Sequence, residues 1–205
     1  MLTQHLTRRS LVRRTGLLTA AVLLGLSGCT PTNEGFADDS PVANEQGYIS
    51  GAGVITQLAA PDRGEPIELS GEYTPGEAFD LASWRGAPVV LNLWYAACPP
   101  CRTEAPALQA NFKRFHDDGV QFLGLNVRDG VAAADAFSKT FNLTFPSMID
   151  KDGRGVSALN NVLPPQAVPS TVVLDSLGRP AARVVGAVSD STLKALLTDV
   201  LNESP

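Results

Sequence analysis

Three nearly continuous apolar runs place the strongest constraint on what this 205-residue chain can fold into. They occupy residues 88–94, 120–127 and 170–175. A strand with one face in water alternates apolar and polar residues, whereas a continuous apolar run suits a strand buried on both faces. Helix-period segments follow the first two runs, at 100–115 and 131–141. The pattern predicts an α/β fold in which a mixed central sheet is flanked by helices.

The remaining segments predict a hairpin before the first apolar run and a hairpin with a helix after the last. Residues 66–83 contain two short strands around a turn, and 180–186 is an antiparallel partner for the third run. A short helix is expected at 153–161. The last helix is predicted to begin at Ser189 or Asp190 and to carry an apolar stripe along one face.

The first 28 residues are predicted to be a signal peptide of the lipoprotein type. Four arginines within the first 14 positions precede an apolar stretch at 15–28. The ending Leu26-Ser27-Gly28-Cys29 resembles the bacterial lipobox, which implies cleavage before Cys29 and acylation of its thiol. An ordinary signal peptide with a chance cysteine is the alternative. Residues 7–13 also resemble a twin-arginine signal, so the export route stays open.

Composition divides the rest of the chain into a linker and one domain. Residues 29–57 are rich in Pro, Asn, Asp, Glu, Gly and Ser, which predicts a flexible linker after the lipidated cysteine. Residues 58–205 are expected to form the domain, anchored by lipid at the extracytoplasmic face of the membrane. Without the arginine-rich start, 12 basic residues face 21 acidic ones, a net charge of −9. That balance argues against nucleic acid as a partner.

The chemistry is predicted to lie at Cys98-Pro99-Pro100-Cys101, directly after the first apolar run. A helix N-terminus carries unpaired N–H groups and partial positive charge, which favour a thiolate nucleophile at Cys98. Cys101, further into the helix, is expected to be the more buried, resolving thiol. Pro99 and Pro100 stiffen the turn where a missing N–H costs little. Half of a metal site or an inert structural disulfide would use the same spacing, but the chain has no second cysteine pair to complete a metal site.

The residues around this pair resemble the thioredoxin superfamily. Residues 90–106 read VLNLWYAACPPCRTEAP. They are most similar to the TlpA/ResA family of membrane-tethered thiol–disulfide oxidoreductases, and the likeness spans about 58–203. The resemblance implies a thioredoxin-like fold with an N-terminal β-hairpin extension. It also implies a redox-active pair at Cys98 and Cys101 that works without a bound cofactor.

Two further positions match the family pattern. Glu104 lies one helical turn after Cys101, and the resemblance implies a base or proton relay for that thiol. A solvated surface glutamate is the alternative. Val168-Pro169-Ser170 matches the cis-proline loop, which in the superfamily faces the cysteine pair and offers backbone groups to a bound protein. The alternative there is an ordinary trans proline at the start of a strand.

Three positions depart from the pattern. Ala97 stands where the family usually has tryptophan, which alters access to the first cysteine. Asn92 stands where thioredoxins carry a buried acid, and this shifts attention to Glu104. The Pro99-Pro100 dipeptide is uncommon, and because the dipeptide tunes the reduction potential, the direction of electron flow is left open.

The resemblance implies an extracytoplasmic reductase of disulfides in secreted or membrane-attached clients, such as an apocytochrome c before haem attachment. A membrane thiol donor would then supply the electrons. An oxidase that forms disulfides is the principal alternative. A peroxidase is disfavoured because Tyr95 stands where a peroxidatic site would have threonine. A Cu(I)-binding module is disfavoured because no histidine follows His116.

Overall fold

A computed structural model describes residues 48–49, 51–74, 76–164 and 166–203, and these form a mixed sheet flanked by helices. The strands are β1 (Val54–Gln57), β2 (Ser70–Glu72), β3 (Ala78–Asp80), β4 (Val89–Trp94), β5 (Gln121–Asn126), β6 (Ser147–Ile149), β7 (Ser170–Leu174) and β8 (Pro180–Val185). The helices are α1 (Pro99–Phe115), α2 (Val131–Phe141), α3 (Arg154–Ala158) and α4 (Asp190–Leu201), with 3₁₀ turns at Ala60–Asp62 and Leu81–Trp84. The predicted signal peptide and Cys29 lie outside the described residues.

Strand β4 lies near the centre of the main sheet, whose order is β1-β8-β7-β4-β5-β6. It pairs in parallel with β5 and antiparallel with β7. All of its residues are buried, as expected for a strand covered on both faces. The register sets Leu93 beside Ser170, so the C-terminal end of β4 meets the N-terminal end of β7. The cysteine pair that follows β4 and the loop that precedes β7 therefore lie at the same end of the sheet.

Alternate residues of the central strands enter two separate hydrophobic cores. Leu91 and Leu93 belong to one core together with Phe137 of α2. Val90 belongs to the other, together with Leu193 of α4. This alternation is what a strand must do when helices pack on both sides of it. The predicted α/β class, with a mixed sheet and flanking helices, is confirmed.

The N-terminal hairpin is present as β2 and β3, but its first strand begins later than predicted. Ser70 pairs with Asp80, whereas Ile67 and Leu69 precede the strand and are buried. The Ile67 N–H donates to the carbonyl of Gly178 at 2.9 Å, whereas the Leu69 carbonyl accepts from the N–H of Leu81, directly after β3, at 3.0 Å. The start of the segment therefore pairs with a turn of the main body, and only its end continues the hairpin. Burial explains why its apolar residues were mistaken for strand residues.

Residues 54–57, which the sequence prediction places in the linker, form a strand of the main sheet. Strand β1, Val54–Gln57, is the edge strand of the main sheet and pairs antiparallel with β8. Ile49 is only 3% exposed. The segment looked like a linker because β1 is an edge strand: Val54 and Ile55 are 46% and 50% exposed, so no buried apolar run marks it.

Strand β6 was also missed by the sequence prediction. It is three residues long and pairs in parallel with β5. A segment this short has no measurable periodicity.

Within the part of the chain that the structure describes, none of the helices has the length and apolar character needed to span a membrane.

Candidate active site

Cys98 and Cys101 form a disulfide at the start of α1, with their Cα atoms 5.3 Å apart. Cys98 is the N-cap residue, and its Sγ accepts a hydrogen bond from the Cys101 N–H at 3.2 Å. An unpaired N–H at a helix N-terminus is the kind of group that stabilises a thiolate. Pro99 and Pro100 occupy the first helical positions, as the sequence indicated.

The expected difference in exposure between the two cysteines is not found. Cys98 is 0% exposed and Cys101 is 1% exposed. Both sulfur atoms belong to the same buried core cluster as Tyr95 and Val168. The prediction that Cys101 would be the more buried of the two cysteines is therefore wrong, since both are buried to the same extent.

The peptide of Ala96, two residues before Cys98, is held by charged side chains on both sides. Its N–H donates to Oδ2 of Asp129 at 2.6 Å, and its carbonyl accepts from Nη1 of Arg102 at 3.3 Å. Asn126 also donates to Oδ2 of Asp129, at 2.8 Å. Hydrogen bonds to charged groups are among the stronger ones in proteins. They fix the turn between β4 and α1.

Two arginines lie beside this turn. The guanidinium of Arg128 lies 4.2 Å from the ring centre of Tyr95, and that of Arg102 lies 5.2 Å from the ring centre of Phe141. Both arginines are exposed, and cation–π contact keeps their charge near the reactive turn. Sequence reasoning missed Arg102, Arg128 and Asp129 as site residues, because their contacts join segments about 30 residues apart with no motif to mark them.

Glu104 is fully buried, on the face of α1 directed towards β4 and the start of α4. Its carboxyl group accepts from Nδ2 of Asn92 and from the N–H of Val188, each at 2.9 Å. Burial raises the pKa of Glu104 to about 8, although the hydrogen bonds from Val188 and Asn92 act in the opposite direction. The alternative of a solvated surface glutamate is excluded.

Asn92 links this carboxyl group to the neighbouring strand. Its Nδ2 lies 3.2 Å from Oγ1 of Thr171 and 3.4 Å from the carbonyl of Ser170. Sequence reasoning noted Asn92 only as the replacement for a buried acid. The structure places it in one hydrogen-bond network with Glu104.

The Val168–Pro169 bond is cis, as predicted, and directly precedes β7. Pro169 accepts from the N–H of Gly186 at 2.8 Å, which ties the loop to the end of β8. Ser170 is buried, and its Oγ has no hydrogen-bond partner among the described residues. The loop stands at the same end of the sheet as the cysteine pair.

Trp94 closes β4 and packs its ring against Phe137 of α2, with ring centres 4.5 Å apart. It lies in the same buried cluster as the two cysteines.

Within the described part of the chain, no three His, Cys, Asp or Glu side chains are arranged to hold a metal ion.

The fold and the site together define a thioredoxin-like thiol–disulfide oxidoreductase. A disulfide at the N-terminus of the helix after the central strand stands beside a cis-proline loop, in a mixed sheet with helices on both faces. Residues 59–179 match the AhpC/TSA family, and the chain belongs to that family.

Curated relatives extend the match. The chain is 28% identical over 193 residues to thiol-disulfide oxidoreductase ResA of Geobacillus kaustophilus, covering 94% of this chain and 97% of the relative. It is 29% identical over 131 residues to ResA of Bacillus subtilis, covering 64% of this chain and 69% of the relative. These similarities confirm the predicted resemblance to the ResA proteins.

Solved structures give the same fold. A secreted thiol-disulfide isomerase from Corynebacterium glutamicum superposes with a TM-score of 0.68 at 28% identity, over 73% of this chain and 92% of that one. A DsbF homologue from Corynebacterium diphtheriae gives 0.62 at 30% identity, over 71% of this chain and 92% of that one. The predicted thioredoxin-like fold is confirmed.

Proposed function

We propose that this oxidoreductase works outside the cytoplasm and reduces disulfides in secreted or membrane-attached clients, such as an apocytochrome c during cytochrome c maturation. The observation that carries the proposal is the disulfide between Cys98 and Cys101 at the N-terminus of α1. The ResA names of the curated relatives and the word "secreted" in the name of the Corynebacterium glutamicum structure support it.

The proposed reaction uses Cys98 as the nucleophile and Cys101 as the resolving thiol. The thiolate of Cys98 attacks one sulfur of a client disulfide; the client disulfide breaks and a mixed disulfide forms. The displaced client thiolate takes up a proton. Cys101 then attacks Cys98 Sγ, the enzyme disulfide forms, and the second client thiol leaves. Two electrons pass from the enzyme dithiol to the client, so a membrane thiol donor must return two electrons before the next turnover.

Glu104 is the group proposed to handle the proton of Cys101. It lies one turn further along α1 and is fully buried. A carboxyl group with a pKa of about 8 changes protonation near neutral pH, where a general base works best. Removing it should therefore slow resolution of the mixed disulfide more than its formation.

The loop Val168-Pro169-Ser170 is proposed to bind the client backbone. It stands at the end of the sheet where Cys98 begins α1, because Leu93 and Ser170 are paired. An extended client segment that pairs with this loop would place its own cysteine beside Cys98.

Attachment to the membrane through Cys29 is part of the same proposal. It rests on the sequence ending Leu26-Ser27-Gly28-Cys29, which lies outside the described residues. Mass spectrometry of protein extracted from membranes would identify acylated Cys29 at the mature N-terminus. A free, unmodified cysteine there would contradict lipid attachment and leave the redox proposal intact.

Disulfide formation in secreted proteins is the second candidate function. The hydrogen bond from the Cys101 N–H to Cys98 Sγ favours it, because a stabilised thiolate stabilises the reduced form of the enzyme. The stiff Pro99-Pro100 turn is the second feature that favours it.

The reduction potential of the cysteine pair separates the two directions. Equilibration with thiol buffers of defined potential should give a value of about −250 mV or lower for a reductase, and above about −150 mV for an oxidase.

Client trapping tests the exchange chemistry itself. Cys101→Ala should accumulate mixed disulfides with client proteins, whereas Cys98→Ala, the matched control, should accumulate none. If Cys101→Ala traps nothing at its normal location, the proposed exchange reaction is wrong.

A further inference from the structure

The nucleophile of the proposed reaction is inaccessible in this conformation. Cys98 has no exposed surface. To react, its sulfur must reach a client disulfide and approach it along the S–S bond. Ile49, from the start of the described chain, is buried in the same core cluster as Cys98, and Tyr48 packs against that cluster. Because the Ile49 N–H bonds the carbonyl of Val168, beside the cis-proline, this segment before β1 lies at the end of the sheet where the cysteine pair begins α1.

Ile49 makes a backbone hydrogen bond to the residue before the cis-proline. Its N–H donates to the carbonyl of Val168 at 2.6 Å. That carbonyl is one of the groups through which the proposed client loop would bind an extended chain, since strand addition uses main-chain N–H and C=O groups. A client segment and Ile49 therefore compete for the same acceptor.

The residues that follow stay along this surface. The Gly53 N–H donates to the carbonyl of Ala187 at 3.1 Å, and Ala52 forms a β-bridge with Ala187. Gly51 and Ala52 also line one surface depression together with Glu104. The covering segment thus reaches from the cis-proline loop to the buried carboxyl group.

A glycine at the end of β8 makes room for the segment. Gly186 has a φ of +104°, and a Cβ placed there would lie 3.0 Å from Gly53 Cα and 3.4 Å from Ile49 Cγ2. A side chain at Gly186 would be strained by this φ and would crowd the backbone of the segment. The segment therefore approaches the end of β8 closely.

We infer that residues 48–49 and 51–53, here called the strap, occupy the position of a client and must leave before a client disulfide reaches Cys98. This inference rests on the proposed function, because it treats the Val168 carbonyl as a client-binding group. The expected client segment is an extended chain. One of its N–H groups donates to the Val168 carbonyl, and one aliphatic side chain takes the place of Ile49. The strap is an internal competitor for such segments.

Alkylation of the reduced full-length protein by iodoacetamide tests the strap without any client. Ile49→Pro removes the N–H that bonds Val168, and Ile49→Ala keeps that N–H but shortens the buried side chain. Ile55→Ala is the matched control, since Ile55 is exposed on β1. We expect Cys98 to react at least tenfold faster in Ile49→Pro, with a smaller gain in Ile49→Ala and none in Ile55→Ala. An unchanged rate in Ile49→Pro would overturn the inference.

Mapping of the modified cysteine by mass spectrometry distinguishes strap release from unfolding. Release exposes Cys98 and leaves Cys101 protected, and the thermal transition remains cooperative. Equal modification of both cysteines contradicts selective release.

Hydrogen exchange gives a second test that does not depend on a variant at residue 49. In Cys101→Ser, Cys98 is joined chemically to a nine-residue peptide with one activated central cysteine and aliphatic flanking residues. The amide of Ile49 should then exchange at least tenfold faster than in the same protein without peptide. Retained protection would overturn the inference even if the peptide is attached.

The two proposals fail separately. Trapping of no client by Cys101→Ala, together with faster alkylation of Ile49→Pro, would reject the proposed function and keep the strap. Trapping of clients with no change in alkylation would reject the strap alone.

Discussion

Glu104 is a buried acid whose hydrogen-bond partners are an amide side chain and a backbone N–H, with no cation among them. Its pKa is raised from 4.5 to about 8, so between these values the folded protein binds one proton more than the unfolded chain. The contribution of protonated Glu104 to the free energy of unfolding is therefore complete below pH 4.5. It decreases as the pH rises towards 8. The loss should be on the order of a few kcal/mol.

The matching experiment compares urea unfolding of the oxidised protein and of Glu104→Gln from pH 5 to pH 9. The wild-type free energy of unfolding should fall with pH, while that of Glu104→Gln should be nearly flat, because the amide does not titrate. The slopes decide the outcome, since the substitution also alters one hydrogen bond. Parallel curves would contradict a raised pKa at this position.

Asp129 offers a second prediction at the scale of single residues. Asp129→Ala removes the acceptor of the Ala96 N–H, and we expect it to lower the free energy of unfolding by about 1–3 kcal/mol. Asp129→Asn, the matched control, keeps an oxygen in place and should lose less than half as much. Urea unfolding measures both, and equal losses would show that charge matters more than the hydrogen bond to Ala96.

Individual residues were predictable where a local motif marks them. Cys98 and Cys101 follow from their spacing after a buried strand, and the cis bond before Pro169 follows from the family pattern. The contact between Ala96 and Asp129 and that between Ile49 and Val168 have no such mark, because they join backbone groups of distant segments. Hydrogen bonds to backbone groups depend on the path of the chain. Because every residue type offers nearly the same backbone groups, the sequence gives little indication of which of them pair.

Among the elements, burial decided which could be found from the sequence. The central strands and the long helices are buried on one or both faces, and their apolar patterns predicted them within one or two residues. The edge strands β1 and β6 escaped detection because one is mostly exposed and the other has three residues. Residues 54–57 were placed in the linker for the same reason.

Strand β1 is expected to contribute to stability despite its exposure. A chain that begins at residue 58 lacks the four pairs between β1 and β8. Its free energy of unfolding should be lower by about 2–4 kcal/mol than that of a chain that begins at residue 54, which keeps β1. Urea unfolding of the two chains measures the difference. Equal midpoints would mean that β1 adds nothing and that the boundary at 58 is adequate for folding.

At the scale of the whole molecule, one cluster of ionic groups joins three parts of the chain. These are the segment after β1, the turn between β7 and β8, and the residues that follow α4. Arg63 donates to Asp175 at 3.1 Å and to Glu203 at 2.5 Å, and Arg179 donates to Asp175 at 2.9 Å. Burial opposes ionisation of Asp175, but hydrogen bonds from Arg179 and Arg63 outweigh it and lower its pKa below 3.8. The cluster thus holds together segments that are distant in sequence.

This cluster predicts how the molecule responds to acid. Because the folded pKa of Asp175 is depressed, its contribution is complete above pH 3.8 and is lost as the pH falls through the folded value. The wild-type free energy of unfolding should drop steeply below pH 3.8, and Asp175→Asn should drop less steeply from a lower starting value. Unfolding by urea between pH 2 and pH 6 gives both slopes. Identical slopes would assign the acid sensitivity to other carboxyl groups.

The position of Trp94 gives the protein a built-in optical reporter of its redox state. A disulfide quenches the emission of an indole that lies close to it, and Trp94 ends β4, four residues before Cys98, in the cluster that buries both cysteines. The other tryptophan, Trp84, lies at the hairpin, where it stacks on Tyr73 and makes a tilted contact with Phe79. One indole should therefore brighten on reduction while the other gives a steady background, so electron transfer can be followed in unlabelled protein.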